Sequence, residues 1–317
     1  MKMFIRVLMV LVAAVGLVAQ APAGKDLLWA FPVASAVVNK PPVPEIEGPQ
    51  RIEGSTRSYT QQQLDNLSSP PDWFPDQHLP MPRIVRDGTA NGGFACASCH
   101  LANGHGHPES GDLVGLSVDY FAQTMADYRS GARKDPIRMT AISQATSEAD
   151  VREAAAWFAS LKANTTPWSR TVEQAVVPRT YLGQGRMRFV DPDGGTEPIG
   201  NRIITVPEDA VRARARDPRS GFIAYAPPGS IARGQALAAG GAGKTLDCTI
   251  CHGEGLRGAG NVPRIAGVHP IYLVRQLYNF QTGANNSQGA QLMKRVVANL
   301  TDEDIVALAA YAGSLTR

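Results

Sequence analysis

The chain has 317 residues, of which 44% are hydrophobic and 19% charged, with a formal net charge of +3. This length admits two domains or three small ones, and the composition is that of a globular protein, which excludes overall disorder. The charge is too small to argue for nucleic acid or an anionic membrane surface as a partner, and 31 glycines with 23 prolines signal many turns.

Taken in chain order, residues 1–23 read as an export signal. Lys2 and Arg6 make a positive start, residues 7–19 are apolar, and Ala21-Pro22-Ala23 offers a small-x-small cleavage site after Ala23. The apolar run is shorter than the roughly 20 residues a spanning helix needs. No later segment of the sequence is long and apolar enough either, so the mature chain is expected in the periplasm, without a membrane span and with a charge near +1. Residues 24–82 form a proline-rich extension that carries Asp72-Trp73-Phe74-Pro75, and its end, with His78 and Met81, reads as an ordered loop.

Residues 83–163 are expected to form a first domain. It opens with a short helical stretch and then carries Cys96-Ala97-Ser98-Cys99-His100. His105 and His107 follow in a glycine-rich loop and are expected to be solvated. Val118–Ser130 reads as an amphipathic helix, with Phe121, Met125 and Tyr128 on one face and Gly131 at its C-cap. Ser147, with Glu148 and Asp150 behind it, caps a terminal helix. Residues 164–229 read as an insert with short β elements. Arg186–Val190 and Arg202–Val206 are expected as strands flanking the turn at Asp191–Gly195, with Phe222–Tyr225 as a third. Arg212, Arg214, Arg216 and Arg219 read as a solvated basic helix end. Residues 230–317 make the last domain, with Cys248-Thr249-Ile250-Cys251-His252, a helix over Pro270–Thr282, and a terminal helix capped by Thr301.

All four cysteines of the chain fall in the two C-x-x-C-H motifs. That pattern attaches c-type haem: each thiol forms a thioether to one porphyrin vinyl group, and the following histidine lies under the iron. A zinc ribbon also uses two C-x-x-C pairs, but about 15–20 residues apart. Here 148 residues separate Cys99 from Cys248. A thioredoxin-like pair needs neither the histidine nor a second copy, and structural disulfides would not produce the same local pattern twice.

The motifs sit in an internal repeat. At an offset of 152, Cys96 maps to Cys248, Gly115 to Gly267, Tyr120 to Tyr272, Phe121 to Leu273, Met125 to Leu277 and Gly131 to Gly283. At 154, Met139 maps to Met293 and Ser147 to Thr301, and the apolar spacing of the terminal helices matches. An iron that shuttles electrons needs a second axial ligand, and thioether sulfur is the usual partner of histidine. Met139 lies 39 residues after His100 and Met293 lies 41 after His252, each eight residues ahead of the capped helix. These two are expected as ligands, while Met125 reads as core filling.

These features resemble the class I cytochromes c, and in particular the di-haem cytochromes of the cytochrome c4 type. The second half matches best, through Cys248–His252, Pro263-Arg264-Ile265-Ala266-Gly267, Tyr272–Gly283, Met293 and Thr301–Leu315. The first half departs from the pattern by a shortened helix before the motif and by lacking a clean equivalent of Pro263. The resemblance implies a mainly α fold, two cytochrome c-like helical haem domains with a small β-containing insert between them. It also implies two covalently attached haem c groups with His100/Met139 and His252/Met293 as axial ligands.

The expected function is electron transport by a carrier rather than an enzyme, between redox protein partners: a dehydrogenase, a terminal oxidase or another cytochrome. Two alternatives stand beside it. One is the cytochrome subunit of a periplasmic dehydrogenase complex, with extension and insert as the interface. The other is a di-haem enzyme of the peroxidase or thiosulfate-oxidising type, which would need an open iron site or an unusual ligand. Some sulfur-oxidising relatives use a cysteine ligand, and no cysteine is spare here.

Overall fold

The structure is a computed structural model that describes residues 27–32, 36–38, 47–89, 92–135, 137–163 and 167–317. The expected export signal lies outside the described residues. Helices α1 (Gln61–Leu64), α2 (Arg83–Arg86), α3 (Ala97–His100), α4 (Val118–Ser130), α5 (Met139–Ala145) and α6 (Glu148–Ser160) precede seven short strands. Helices α8 (Ser230–Ala238), α9 (Thr249–His252), α10 (Pro270–Thr282), α11 (Ala290–Val297) and α12 (Asp302–Ser314) follow them. The fold is mainly α, with cytochrome c-like helical units on either side of a β-containing insert.

Local chemistry accounts for the long helices. Ser117 Oγ accepts from Tyr120 N–H at the start of α4, which ends on Gly131 in the left-handed region at φ 78°. Its repeat equivalent α10 has Pro270 in the first turn and ends on Gly283 at φ 73°. Ser147 caps α6 through Asp150 N–H, and Thr301 and Asp304 form a reciprocal capping box on α12.

The apolar stripes of these helices meet in two separate cores. In the first, Phe121 and Met125 of α4 pack with Val151, Ala154, Trp157 and Phe158 of α6 and with Ile84 and Val85. In the second, Leu273, Val274 and Tyr278 of α10 pack with Ile305, Leu308 and Ala309 of α12 and with Leu237 of α8. The helix ahead of each motif differs: α2 is a single turn, whereas α8 lies full length along α12. That crossing is close because Gly234 has no side chain. A β-carbon there would collide with the Ala307 carbonyl oxygen and stand 2.6 Å from Tyr311 Cβ.

The insert contains β1 (Ser169–Glu173), β2 (Val176–Pro178), β3 (Thr180–Leu182), β4 (Arg188–Val190), β5 (Thr196–Pro198), β6 (Ile204–Pro207), α7 (Ala210–Arg214) and β7 (Phe222–Ala226). The expected strands occur, but they do not pair with one another around the 191–195 turn. β4 pairs antiparallel with β3, and β6 pairs antiparallel with β7, which also takes β1 in parallel. One face of β7, carrying residues 222, 224 and 226, serves two cores along its length. Ala224 and Ala226 belong to the core of the second helical unit, while Phe222 packs with Leu101 and Trp168 beside the first motif.

The extension is anchored as well. Leu27 and Ala30 are buried in the second core. Trp73 is buried with Leu64, Phe74 and Ala215 and donates its indole N–H to Ala215 O at 2.8 Å.

Of the arginines expected as solvated, Arg212 and Arg219 are exposed while Arg214 and Arg216 are half-buried, and all four have partners. Arg212 pairs with Asp217, Arg214 with Asp65, Arg216 donates to Ser98 O, and Arg219 lies over the Phe74 ring. The insert is pinned through them onto the extension and onto the first motif.

The two helical units face each other with an approximate two-fold relation. The segments following Gly131 and Gly283 pair antiparallel: Arg133 opposes Asn285, Lys134 N–H donates to Ala284 O at 2.9 Å, and Asn286 N–H donates to Ala132 O at 2.7 Å. Arg133 and Asn285 are equivalent positions of the 152-residue repeat, so the units meet like surface against like surface.

Candidate haem centres

Cys96 and Cys248 begin one-turn helices, α3 and α9, which bring the cysteine pair and the histidine of each motif to one side. The four thiols are free. Burial pushes the Cys96 thiol up to about 12 and the Cys248 thiol up to about 11. Burial thus favours the neutral thiol at both positions. Among the described residues, no group of three or more His, Cys, Asp or Glu side chains is placed to hold a metal ion.

The two histidines are held alike. His100 Nδ1 lies 2.7 Å from Gly111 O, and His252 Nδ1 lies 2.8 Å from Pro263 O. A carbonyl oxygen only accepts, so Nδ1 carries the proton in both rings and Nε2 keeps its lone pair. Burial lowers the pKa of both imidazoles, which favours the neutral, ligating form.

Gly111 and Pro263 are equivalent in the repeat at offset 152. The first unit thus keeps the acceptor without the proline. The signal that would have found Gly111 is register rather than residue type, because the interacting atom is a backbone oxygen.

All eight expected site residues line one cavity of about 1200 Å³: Cys96, Cys99, His100 and Met139, with Cys248, Cys251, His252 and Met293. Phe121, Met125 and Tyr128 contribute the first wall, and Leu273, Leu277 and Phe280 the second. Met139 opens α5 and packs against the first core, while Met293 lies in α11 against the second. A space of this size, apolar-walled, with two thiols and a neutral imidazole at each end, fits haem c. The helices and turns thereby bring together residues that are 39 and 41 positions apart within each set.

Two expectations fail beside the first motif. His105 is fully buried rather than solvated, with Nδ1 3.1 Å from Asp112 Oδ2 and its ring stacked on Trp168. His107 is not solvated either: it lines the cavity, its N–H donates to Cys99 O at 3.1 Å, and burial with nearby Arg216 holds it neutral. His269 is buried, with Nε2 3.2 Å from Gly106 O.

Site and fold together define a c-type cytochrome, a protein that carries covalently bound haem c. Comparison with known proteins agrees. The cytochrome c family model matches residues 231–316. Cytochrome c4 of Pseudomonas aeruginosa is 25% identical over 227 residues, covering 69% of this chain and 83% of the relative. The thiosulfate dehydrogenase electron acceptor of Stutzerimonas stutzeri is 25% identical over 233 residues, covering 72% and 83%. Cytochrome c-554(548) of Halomonas halodenitrificans is 33% identical over 78 residues, covering 24% of this chain and 94% of the relative.

The chain belongs to the cytochrome c family of electron-transport proteins, and over most of its length it resembles the di-haem cytochromes c4.

Proposed function

We propose that this chain is a periplasmic di-haem electron carrier, exported by a signal cleaved after Ala23. One haem c is attached at Cys96 and Cys99 with His100 and Met139 as axial ligands, and the other at Cys248 and Cys251 with His252 and Met293. The domains follow as residues 83–163 and 230–317, joined by the 164–229 insert and preceded by the 24–82 extension. The observation that carries this reading is the shared cavity, into which both complete sets of residues open.

Bound haem c supplies one-electron redox chemistry. The protein's own part is to hold and shield. The thiols would anchor the haems, Gly111 and Pro263 orient the imidazoles that would hold the irons, and the thioethers of Met139 and Met293 would hold them from the other side. Because both sets open into one space, two haems held there would offer an electron a short path between them. The partners are a donor and an acceptor of the dehydrogenase, terminal oxidase or cytochrome kind.

The test is a visible spectrum of the reduced, periplasmically expressed protein before and after carbon monoxide. An unchanged spectrum supports two fully ligated irons. Binding by about half the haem, on the His/Met pattern of two sites, would reject one axial set and move the enzyme reading forward.

A second reading, a carrier dedicated to one dehydrogenase, is favoured by the likeness to a thiosulfate dehydrogenase electron acceptor. Co-purification of a dehydrogenase with the tagged, exported chain would select it.

A further inference from the structure

The two carbonyls that orient the histidines each stand one residue ahead of a buried charge. Gly111 precedes Asp112, and Pro263 precedes Arg264. Asp112 and Arg264 are themselves equivalent positions of the 152-residue repeat. They meet across the junction of the two units, with Arg264 Nη2 3.0 Å from Asp112 Oδ1 and side-chain exposures of 12% and 1%. At one and the same place, the two halves carry opposite charges.

Each partner is further immobilised. Asp112 also accepts from Val114 N–H at 3.1 Å, from His105 Nδ1 at 3.1 Å and from Arg317 Nη2 at 2.8 Å. Arg264 Nη1 donates to Ala266 O at 2.6 Å. Against the opposing effect of burial, the surrounding donors hold the Asp112 carboxyl well below the usual carboxylate range.

The peptide unit from Gly111 C=O to Asp112 N is planar, as is that from Pro263 to Arg264. A shift of either charged residue's backbone therefore turns the carbonyl that holds a histidine. Such a hydrogen bond makes the imidazole a stronger donor to iron and favours the oxidised state.

We propose that Asp112 and Arg264 are positioning residues that lock the Gly111 and Pro263 carbonyls together across the junction, so that the hydrogen bonds to His100 and His252, and with them both haem potentials, are set jointly. This rests on His100 and His252 being the proximal ligands. A simple clasp between the units, or a purely electrostatic effect of two charges, would act differently, and the variants separate them.

The experiment uses the haem-loaded full chain. Exchange of the two histidine Nδ1–H protons is followed by NMR in the reduced protein, and both potentials are followed by redox titration. Arg264→Gln is expected to speed exchange at both rings by roughly tenfold or more, the size of effect that loss of a well-held hydrogen bond produces. The double variant Asp112→Asn/Arg264→Gln, which leaves net charge unchanged, is expected to raise both potentials. Arg264→Lys keeps the charge and is expected to restore part of the protection.

Gln276→Ala removes a different junction contact, the 2.7 Å bond from Arg133 Nη2, and is expected to leave both rings protected. Faster exchange at His252 alone, at neither ring, or equally in Gln276→Ala overturns the proposal, as does a potential shift confined to one haem. If the ligand assignment itself were wrong, the ring protons of His100 and His252 would lack paramagnetic shifts in the oxidised wild type, a separate result from failure of the coupling.

Discussion

Replacing Gly234 by alanine sets helix propensity against packing in one residue. In an exposed helix interior the change would stabilise by about 1 kcal/mol. Gly234 is buried where α8 crosses α12, and a β-carbon there meets the Ala307 carbonyl oxygen and approaches Tyr311 Cβ to 2.6 Å. Backbone has no rotamer with which to yield, so the helices must separate. Such overpacking costs about 1–3 kcal/mol before the propensity gain is subtracted, and more where backbone must move. Because backbone must move, the upper part of that range applies, about 2–3 kcal/mol, and the net expectation is a loss of about 1–2 kcal/mol, which for a domain of this size lowers Tm by roughly 4–15 °C. Tyr311 lines the haem cavity, so the loss should appear in a thermal melt followed at the haem band as well as by circular dichroism. Gln235→Ala, exposed on the same helix, is the control and should stay within about 0.5 kcal/mol. A Gly234→Ala protein that melts higher than wild type would refute the close-crossing argument, because propensity would then have outweighed contact.

Met293→Ala in the loaded protein should leave one iron high-spin and able to bind carbon monoxide while the other stays closed, and an unchanged low-spin spectrum would reject Met293 as a ligand. Phe158→Ala should destabilise by about 3–5 kcal/mol in urea unfolding, since a fully buried ring that packs on Phe121 and Trp157 would leave a cavity. Asp304 accepts from Arg233 and Lys244 and closes the capping box, and its side chain is 1% exposed. These donors hold its pKa below the ordinary value despite burial. A depressed folded pKa contributes stability above the unfolded carboxylate value of about 3.9 and loses it as pH falls below that. Asp304→Asn should therefore lower Tm most at neutral pH and narrow the gap to wild type in acid. A gap that widens as pH falls would contradict the sign.

Much of the molecule was legible before any coordinates because its chemistry is local. A C-x-x-C-H motif folds within five residues, the apolar spacing of α4, α6, α10 and α12 follows a single helix, and the caps at Ser147 and Thr301 act within one turn. The repeat extended that reach, since two copies in register picked out Met139 and Met293 where one copy would have shown only two methionines. The same register already held Gly111 against Pro263 and Asp112 against Arg264. Their importance stayed hidden because a backbone carbonyl has no residue type and a charge pair has no meaning until both halves are placed.

What tertiary structure alone decided is long-range pairing and burial. Strand β7 joins β1 across about fifty residues, and one face of it sets Ala224 and Ala226 against one core and Phe222, at its start, against another. Nothing in the alternation of short strands selects that partner over the nearer hairpin. Whether His105 and Arg216 face water or the interior is likewise set by distant segments, Trp168 and Arg317 for the one and Ser98 for the other. The sequence determined the chemistry carried by each half. The meeting of the halves determined that both open into one cavity, because burying apolar walls that neither half can cover alone is a property of the assembled chain.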